Sequence, residues 1–145
     1  MAGPAYGTNT GQDFTLQANT DQTGNQFKFV QLASTGYLVV VSTAGQRAIG
    51  VMQDAPVGSS SAPVASQVRM LGPTKIQAGG TFSAGDLVTS DASGKAVKYT
   101  GSTVFTGTPY TVSGSQVLGV ALQAGAAGSD TAILFNPSGL CAAGD

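Results

Sequence analysis

The stretch GDLVTSDASGKAVKY, residues 85–99, decides the fold class. Two short apolar segments, 87–90 and 95–99, flank Asp91-Ala92-Ser93-Gly94. A four-residue loop that ends in Gly is typical of a β-hairpin connection. This stretch therefore predicts two paired antiparallel strands.

Short apolar runs separated by turn residues continue on both sides of this hairpin, and none shows a helical stripe of useful length. Gly72-Pro73 is expected to break one run, and residues 54–63 are expected to form a loop. The predicted strands are 27–32, 37–42, 47–52, 64–71, 74–77, 116–123 and 131–136.

The composition also argues against helices. The chain contains no Glu, and 21 of its 145 residues are Gly. Gly and Thr are poor helix formers, whereas Glu is a good one. We therefore predict an all-β protein.

A faint internal repeat indicates two similar halves. Gly36-Tyr37-Leu38-Val39 resembles Gly85-Asp86-Leu87-Val88, and Ala48-Ile49-Gly50-Val51 resembles Val117-Leu118-Gly119-Val120. Chance agreement within a biased composition is the alternative. Gly inside an apolar strand often marks a bulge or a close backbone approach. Gly50 and Gly119 therefore favour a compact β-barrel-like or two-sheet domain of short strands.

The chain divides into an irregular N-terminal arm (1–26), a β domain (27–136) and a C-terminal tail (137–145), with an inserted hairpin or loop at 101–115. The arm carries only Tyr6, Phe14 and Leu16 as large apolar residues, so it buries little surface by itself. It is either an arm that orders on a partner or a terminus with no role. If it is an arm, its deletion is expected to leave the thermal melt nearly unchanged.

The surface is weakly charged. Charged residues make up 9% of the chain and the net charge is −1, which gives no field to attract nucleic acid or an anionic membrane. Either partners cover much of the surface or hydroxyl and amide groups keep it soluble. The longest apolar run, 37–41, is far shorter than a membrane span. No secretory signal is visible at the start of the chain.

No motif in the sequence selects a catalytic site, although a Ser-Lys pair stays open. It has no His, which excludes His-dependent triads and His-ligated metals. Cys141 has no base nearby in sequence. Asp86 and Asp91 are interpreted as turn residues that bond the backbone, rather than as a carboxylate pair. We predict no enzyme, no cofactor, and no catalytic, cofactor-binding or metal site.

Three motifs are rejected. Gly94-Lys95 lacks the first Gly and the hydroxyl residue of a phosphate loop. The segment Asp21–Asn25 lacks the closing acidic residue of a calcium loop. Phe27 and Phe29 with Lys28 suggest a base-stacking surface, but basic residues are too sparse to support one.

Two segments carry a resemblance to a known family. Residues 78–97, with their G-D-x-V, short turn and G-K-x-V order, resemble the capsid cement (head decoration) proteins of tailed bacteriophages. Residues 117–128, with L-G-V-A-L followed by A-G-x-x-G, resemble the segment that follows in that family, and residues 49–55 resemble its first-half counterpart. The resemblance covers roughly residues 30–136 and consists of small and apolar residues rather than a chemical signature.

This resemblance implies a non-enzymatic β-barrel-like protein on the outer surface of a phage head. It would stabilise contacts between subunits of the major capsid protein, as a homo-oligomer with a trimer favoured, and bind neither nucleic acid nor membrane. The candidate capsid-contact residues are Tyr6, Phe14, Leu16, Phe27 and Phe29. The long N-terminal segment and the 101–115 insertion depart from the plainer members of the family.

Two other functions remain open. The first is another structural module, such as a fibre, tail or surface-layer β domain. The second is an enzyme or small-ligand binder, which would need a deep polar pocket with clustered Asp or Lys.

Overall fold

The prediction of an all-β fold is confirmed. The computed structural model describes residues 12–101, 104–106, 111–113 and 115–137, and within them the chain forms strands and no helix. The strands are β1 (Gln12–Ala18), β2 (Phe29–Leu32), β3 (Leu38–Val40), β4 (Gly50–Met52), β5 (Val64–Gln77), β6 (Leu87–Ser90), β7 (Ala96–Lys98), β8 (Val104–Thr106), β9 (Thr111–Ser113), β10 (Gly119–Ala121) and β11 (Asp130–Phe135).

Strand β5 connects the two halves of the main sheet. The order is β3-β2-β4-β5-β11-β10-β6-β7, with β1 also paired to β5, and all these pairs are antiparallel. Strands β8 and β9, inside the predicted insertion, pair only with each other within the described residues. The expected break at Gly72-Pro73 does not occur. The strand instead changes partner there, since 64–71 pair with β1 and 72–77 pair with β11. Gly72 permits the change because its φ is +106°.

The sheet consists of two units with the same topology. The first unit contains β1, the N-terminal part of β5, β4, β2 and β3, in that order. The second contains the C-terminal part of β5, then β11, β10, β6 and β7. Each unit curls back on itself: β1 contacts β3, and Ala78, just after β5, forms a parallel bridge to Ala96 of β7.

The strand registers of the two units also agree. Val30 pairs with Gly50 and Val40 in the first unit, as Val88 pairs with Gly119 and Lys98 in the second. The β2–β3 and β6–β7 hairpins each have a five-residue connection, 33–37 and 91–95. Each connection carries a Gly with positive φ at its fourth position, +84° at Gly36 and +75° at Gly94. The two units are therefore structural repeats.

The structure confirms one of the two matches on which the predicted repeat was based. Its match of Gly50 with Gly119 is confirmed by the registers. Its match of Gly36 with Gly85 is wrong, because Gly36 corresponds to Gly94. The residue that corresponds to Gly85 is Phe27, whose φ is +60° while that of Gly85 is +88°. The first unit thus has an aromatic residue at a position where the second has Gly. This difference prevents the sequences alone from matching Phe27 with Gly85.

Gly50 and Gly119 lie at bulges, as predicted. Gly50 pairs with Val30, and the preceding Ile49 also donates its N–H to the Val30 carbonyl at 2.8 Å. Two residues opposite one is the arrangement of a β-bulge. A Cβ at Gly119 would lie 2.2 Å from the carbonyl oxygen of Leu134. The two glycines thus allow close backbone approach where each unit curls.

Two hydrophobic clusters form the core. The interior of the first unit is lined by Ala18, Val30, Leu38, Met52 and Val68. The larger cluster fills the interior of the second unit and also includes residues of the first unit that point away from its own interior. Its members are Phe29, Val41, Ala48, Val51, Ile76, Ala78, Phe82, Val88, Ala96, Leu118, Ala121, Ile133 and Phe135.

For residues 12–18, the prediction of an irregular arm is wrong. These form β1, which pairs with β5 along its whole length and buries Ala18 completely. The few apolar residues of this segment do not predict a stable strand. Its backbone hydrogen bonds to β5 hold it in the sheet. We therefore withdraw the expectation that deleting residues 1–26 leaves the thermal melt unchanged. Of the predicted tail, residues 138–145 lie outside the described residues, as does Cys141.

Candidate interaction surface

An apolar row crosses the outside of the second unit. Leu87, Val120 and Leu134 are direct neighbours on β6, β10 and β11. Leu87 is 41% exposed and Leu134 is 38% exposed, while Val120 is half-buried. The row is extended by Tyr99 and by Leu122, which is 47% exposed. We call these five residues the second-unit outer face.

A second set of partly exposed apolar residues borders the interior of the first unit. Leu16, Val40, Ile49 and Met70 pack against the first-unit interior and remain only half-buried. We call these four residues the first-unit rim. Phe14, two residues before Leu16 and so on the same face of β1, is 52% exposed. Each unit therefore exposes apolar side chains, on opposite faces of the repeated sheet.

The structure separates the predicted contact residues. Phe14 and Leu16 lie together at the first-unit rim. Phe27 is half-buried, and the Lys75 ammonium lies 5.7 Å from the centroid of its ring. Tyr6 lies outside the described residues. The prediction that Phe29 contacts a partner is corrected, because Phe29 is fully buried. Its ring centroid lies 6.0 Å from that of Phe135. Phe29 therefore belongs to the core rather than to a contact surface.

The sequence reasoning missed the second-unit outer face. Its residues lie at alternate positions of strands whose other face is buried, such as Val120 beside the buried Ala121. An apolar residue at an outward position was the available signal. Each strand is short, so its alternation covers too few positions to distinguish an outward apolar residue from a core residue.

Several Asp side chains stabilise turns, as predicted. Asp91 Oδ1 accepts the backbone N–H groups of Ser93 and Lys95 at 2.8 and 2.9 Å. Asp86 Oδ2 accepts the N–H of Ser83 at 2.8 Å. That bond, followed by the hydrogen bond from Lys98, lowers the pKa of Asp86. The donors around Asp86 favour its ionised form, which fits a role in turn formation.

The side chains of Asp21, Asn25 and Lys28 form hydrogen bonds with residues nearby in sequence. The Thr23 hydroxyl, and then the Thr23 backbone N–H, lower the pKa of Asp21 by donating to its carboxylate. Partial burial, and then the nearby charge of Lys95, lower the pKa of Lys28. The Lys28 ammonium donates to Asn25 Oδ1 at 2.8 Å.

Among the described residues, two ion pairs connect neighbouring segments of the sheet. Arg69 on β5 pairs with Asp13 on β1, with Nη2 and Oδ2 3.0 Å apart. Lys98 on β7 pairs with Asp86 at 3.1 Å. Both pairs connect neighbouring segments within one unit.

Chemistry-bearing groups do not converge in the described part of the chain. No three His, Cys, Asp or Glu side chains among these residues group as metal ligands would. A shallow depression of about 290 Å³ is lined by Lys75, Gln123, Asp130, Thr131 and Ala132, which brings one cation and one carboxylate to the outer face. Over the same residues, no helix has the length and hydropathy to span a bilayer.

No protein-family model matches the chain, and no curated protein matches it. Among solved structures, the chain is similar to the N base of the head fibre gp8.5 of bacteriophage phi29. The TM-score is 0.59 at 16% sequence identity, and the similarity covers 87% of this chain and 94% of that chain. At this identity the likeness shows a shared fold, and it extends over both units of the repeat.

Proposed function

We propose that this chain is a non-enzymatic structural protein of a bacteriophage virion, located on the outer surface of the head. The observation that carries the proposal is the fold shared with a phage head-fibre base over nearly the full length of both chains. The exposed apolar surfaces support a role in binding proteins, because large apolar patches on soluble proteins commonly mark interaction sites.

Two forms of this role are candidates. The base of a head fibre is favoured by the structural similarity, which covers 94% of the phi29 base. A capsid cement protein is favoured by the resemblance of residues 78–97 and 117–128 to that family. In both forms the partner is the major capsid protein, and the contact acts through area and multivalency rather than through chemistry.

Immunogold labelling of purified virions from the phage that encodes this chain tests the proposal. Antibodies against the purified protein are expected to label heads, and full-length protein is expected to bind heads that lack it. Virions without the protein, or labelling confined to tails, would contradict a head location.

Quantitative mass spectrometry of the same virions separates the two forms. A cement protein is expected to approach the copy number of the major capsid protein, whereas a fibre base is expected to be present in far fewer copies. Both results are measured against the capsid protein in one digest.

A further inference from the structure

We infer that the second-unit outer face of one chain docks on the first-unit rim of a second copy of the chain. This contact repeats, between chains, the packing that joins the two units inside one chain. The inference concerns self-association and does not depend on the proposed function.

The contact inside the chain provides the template. Phe29, Val41 and Val51 point away from the first-unit interior and pack in one cluster with Leu118 and Phe135 of the second unit. All five are fully buried. The outer side of the first unit thus packs against the second unit at Leu118 and Phe135.

The strand registers identify the matching residues on the docking side. Phe29 pairs with Val51 as Leu87 pairs with Val120. The Val41 N–H donates to the Phe29 carbonyl at 3.0 Å, as the Tyr99 N–H donates to the Leu87 carbonyl at 2.8 Å. The second-unit outer face is therefore the counterpart of the buried face of the first unit. Here, however, Leu87 is 41% exposed where Phe29 is fully buried.

The receiving side has the same correspondence. Ile49 matches Leu118, since their N–H groups bond Val30 and Val88, which hold equivalent places. Phe135 pairs with Gly119, and continuing the β4–β5 register by one residue places Met70 opposite Gly50, so Met70 matches Phe135. The second unit buries its residues at these places, whereas the first-unit rim leaves Ile49 and Met70 half-buried. Each chain thus has one face and one rim that its own fold covers only in part.

Two differences between the units make the contact between chains more apolar than its template. Leu134 stands where the first unit has Arg69, and Val40 stands where the second unit has Lys98. Both exchanges remove a charge from the surfaces that would meet. An apolar side chain at an exposed position is favoured where a partner buries it.

A contact between two different surfaces is heterologous, so it closes into a ring or grows into a filament. A ring of three chains would place six equivalent units in a circle. Other occupants of the face and rim are terminal segments of the same chain or the capsid protein, and in both cases the purified chain would be a monomer.

Light scattering coupled to size exclusion tests the contact on the full chain. Wild-type protein is expected to form a defined oligomer over a dilution series. The face variant Leu87→Asp and the rim variant Met70→Asp are each expected to weaken association at least about a hundredfold, because a charge would be buried without a partner. Val57→Asp is the control, since Val57 is an exposed apolar residue, 67% exposed, outside both surfaces.

Mixing the two variants gives the decisive result. The face variant keeps an intact rim and the rim variant keeps an intact face, so an equimolar mixture is expected to form a heterodimer and nothing larger. Circular dichroism and thermal melts of each variant confirm that it is folded. A monomeric wild type, a variant that assembles like wild type, or a mixture of folded variants that stays monomeric would overturn the inference.

Discussion

The substitution Gly119→Ala tests whether close backbone approach at the bulge supports the fold. The added Cβ would lie 2.2 Å from the Leu134 carbonyl oxygen and 3.1 Å from its carbon, whereas ordinary contact begins at 3.4 Å. The neighbouring atoms are backbone, so no side-chain rotation relieves the overlap. Strands β10 and β11 must separate.

The cost follows from what that separation disturbs. Overpacking a well-packed region costs about 1–3 kcal/mol. Weakening a neighbouring bond, such as that from the Asn136 N–H to the Leu118 carbonyl at 3.0 Å, adds about 1 kcal/mol. The expected loss is therefore about 2–4 kcal/mol. For a chain of this size, that lowers the melting temperature by roughly 5–15 °C.

Gly80→Ala is the matched control. Its Cβ would lie 3.6 Å from Val97 Cγ1, which is ordinary contact, and its φ is not positive. This substitution is expected to be neutral or to stabilise by up to about 1 kcal/mol, because Ala reduces the freedom of the unfolded chain. Both variants are melted by differential scanning calorimetry at one protein concentration. If Gly119→Ala melts within error of Gly80→Ala, the bulge does not depend on Gly and the reasoning is refuted.

Three further predictions concern stability. Phe29→Ala is expected to cost about 3–5 kcal/mol in urea unfolding, whereas Leu87→Ala at the matching position is expected to cost about 1 kcal/mol in the monomer; equal costs would contradict the difference in burial. Gly85→Ala is expected to lose about 1–2 kcal/mol from backbone strain alone, since its φ is +88° and no atom lies within 4 Å of the added Cβ; an unchanged melt would show that the turn relaxes. The pKa of Asp86 is lowered from 3.8 in the folded chain, so its contribution is present above that pH and is lost as the pH falls through the folded pKa; Asp86→Asn is expected to flatten the acid side of a plot of melting temperature against pH, and an unchanged acid side would remove this carboxylate from the acid response.

Local features of the fold were predictable because local chemistry determines them. The hairpin at 87–98 forms as expected, although its connection is 91–95 rather than 91–94. The Asp91 side chain bonds the turn and Gly94 has a positive φ. The bulges at Gly50 and Gly119 followed from Gly inside apolar strands. In both cases one residue type is required by one backbone conformation.

Features that depend on distant pairing were not predictable. β1 is polar and mostly exposed, and only its pairing to β5, which begins at Val64, makes it part of the sheet. The continuity of β5 through Pro73 depends on a change of partner that no local signal marks. The local composition around β1 and β5 does not indicate which strands they pair with.

The misaligned repeat explains why the candidate surface was missed. Matching Gly36 to Gly85 placed β3 against β6, which assigns Leu87 the place of Leu38, a fully buried residue. The observed registers assign Leu87 the place of Phe29 instead. In the observed alignment, Leu87 lies on the face of the second unit that corresponds to the buried outer face of the first unit. The correct alignment thus turns an ordinary strand residue into evidence for a contact that a single chain leaves incomplete.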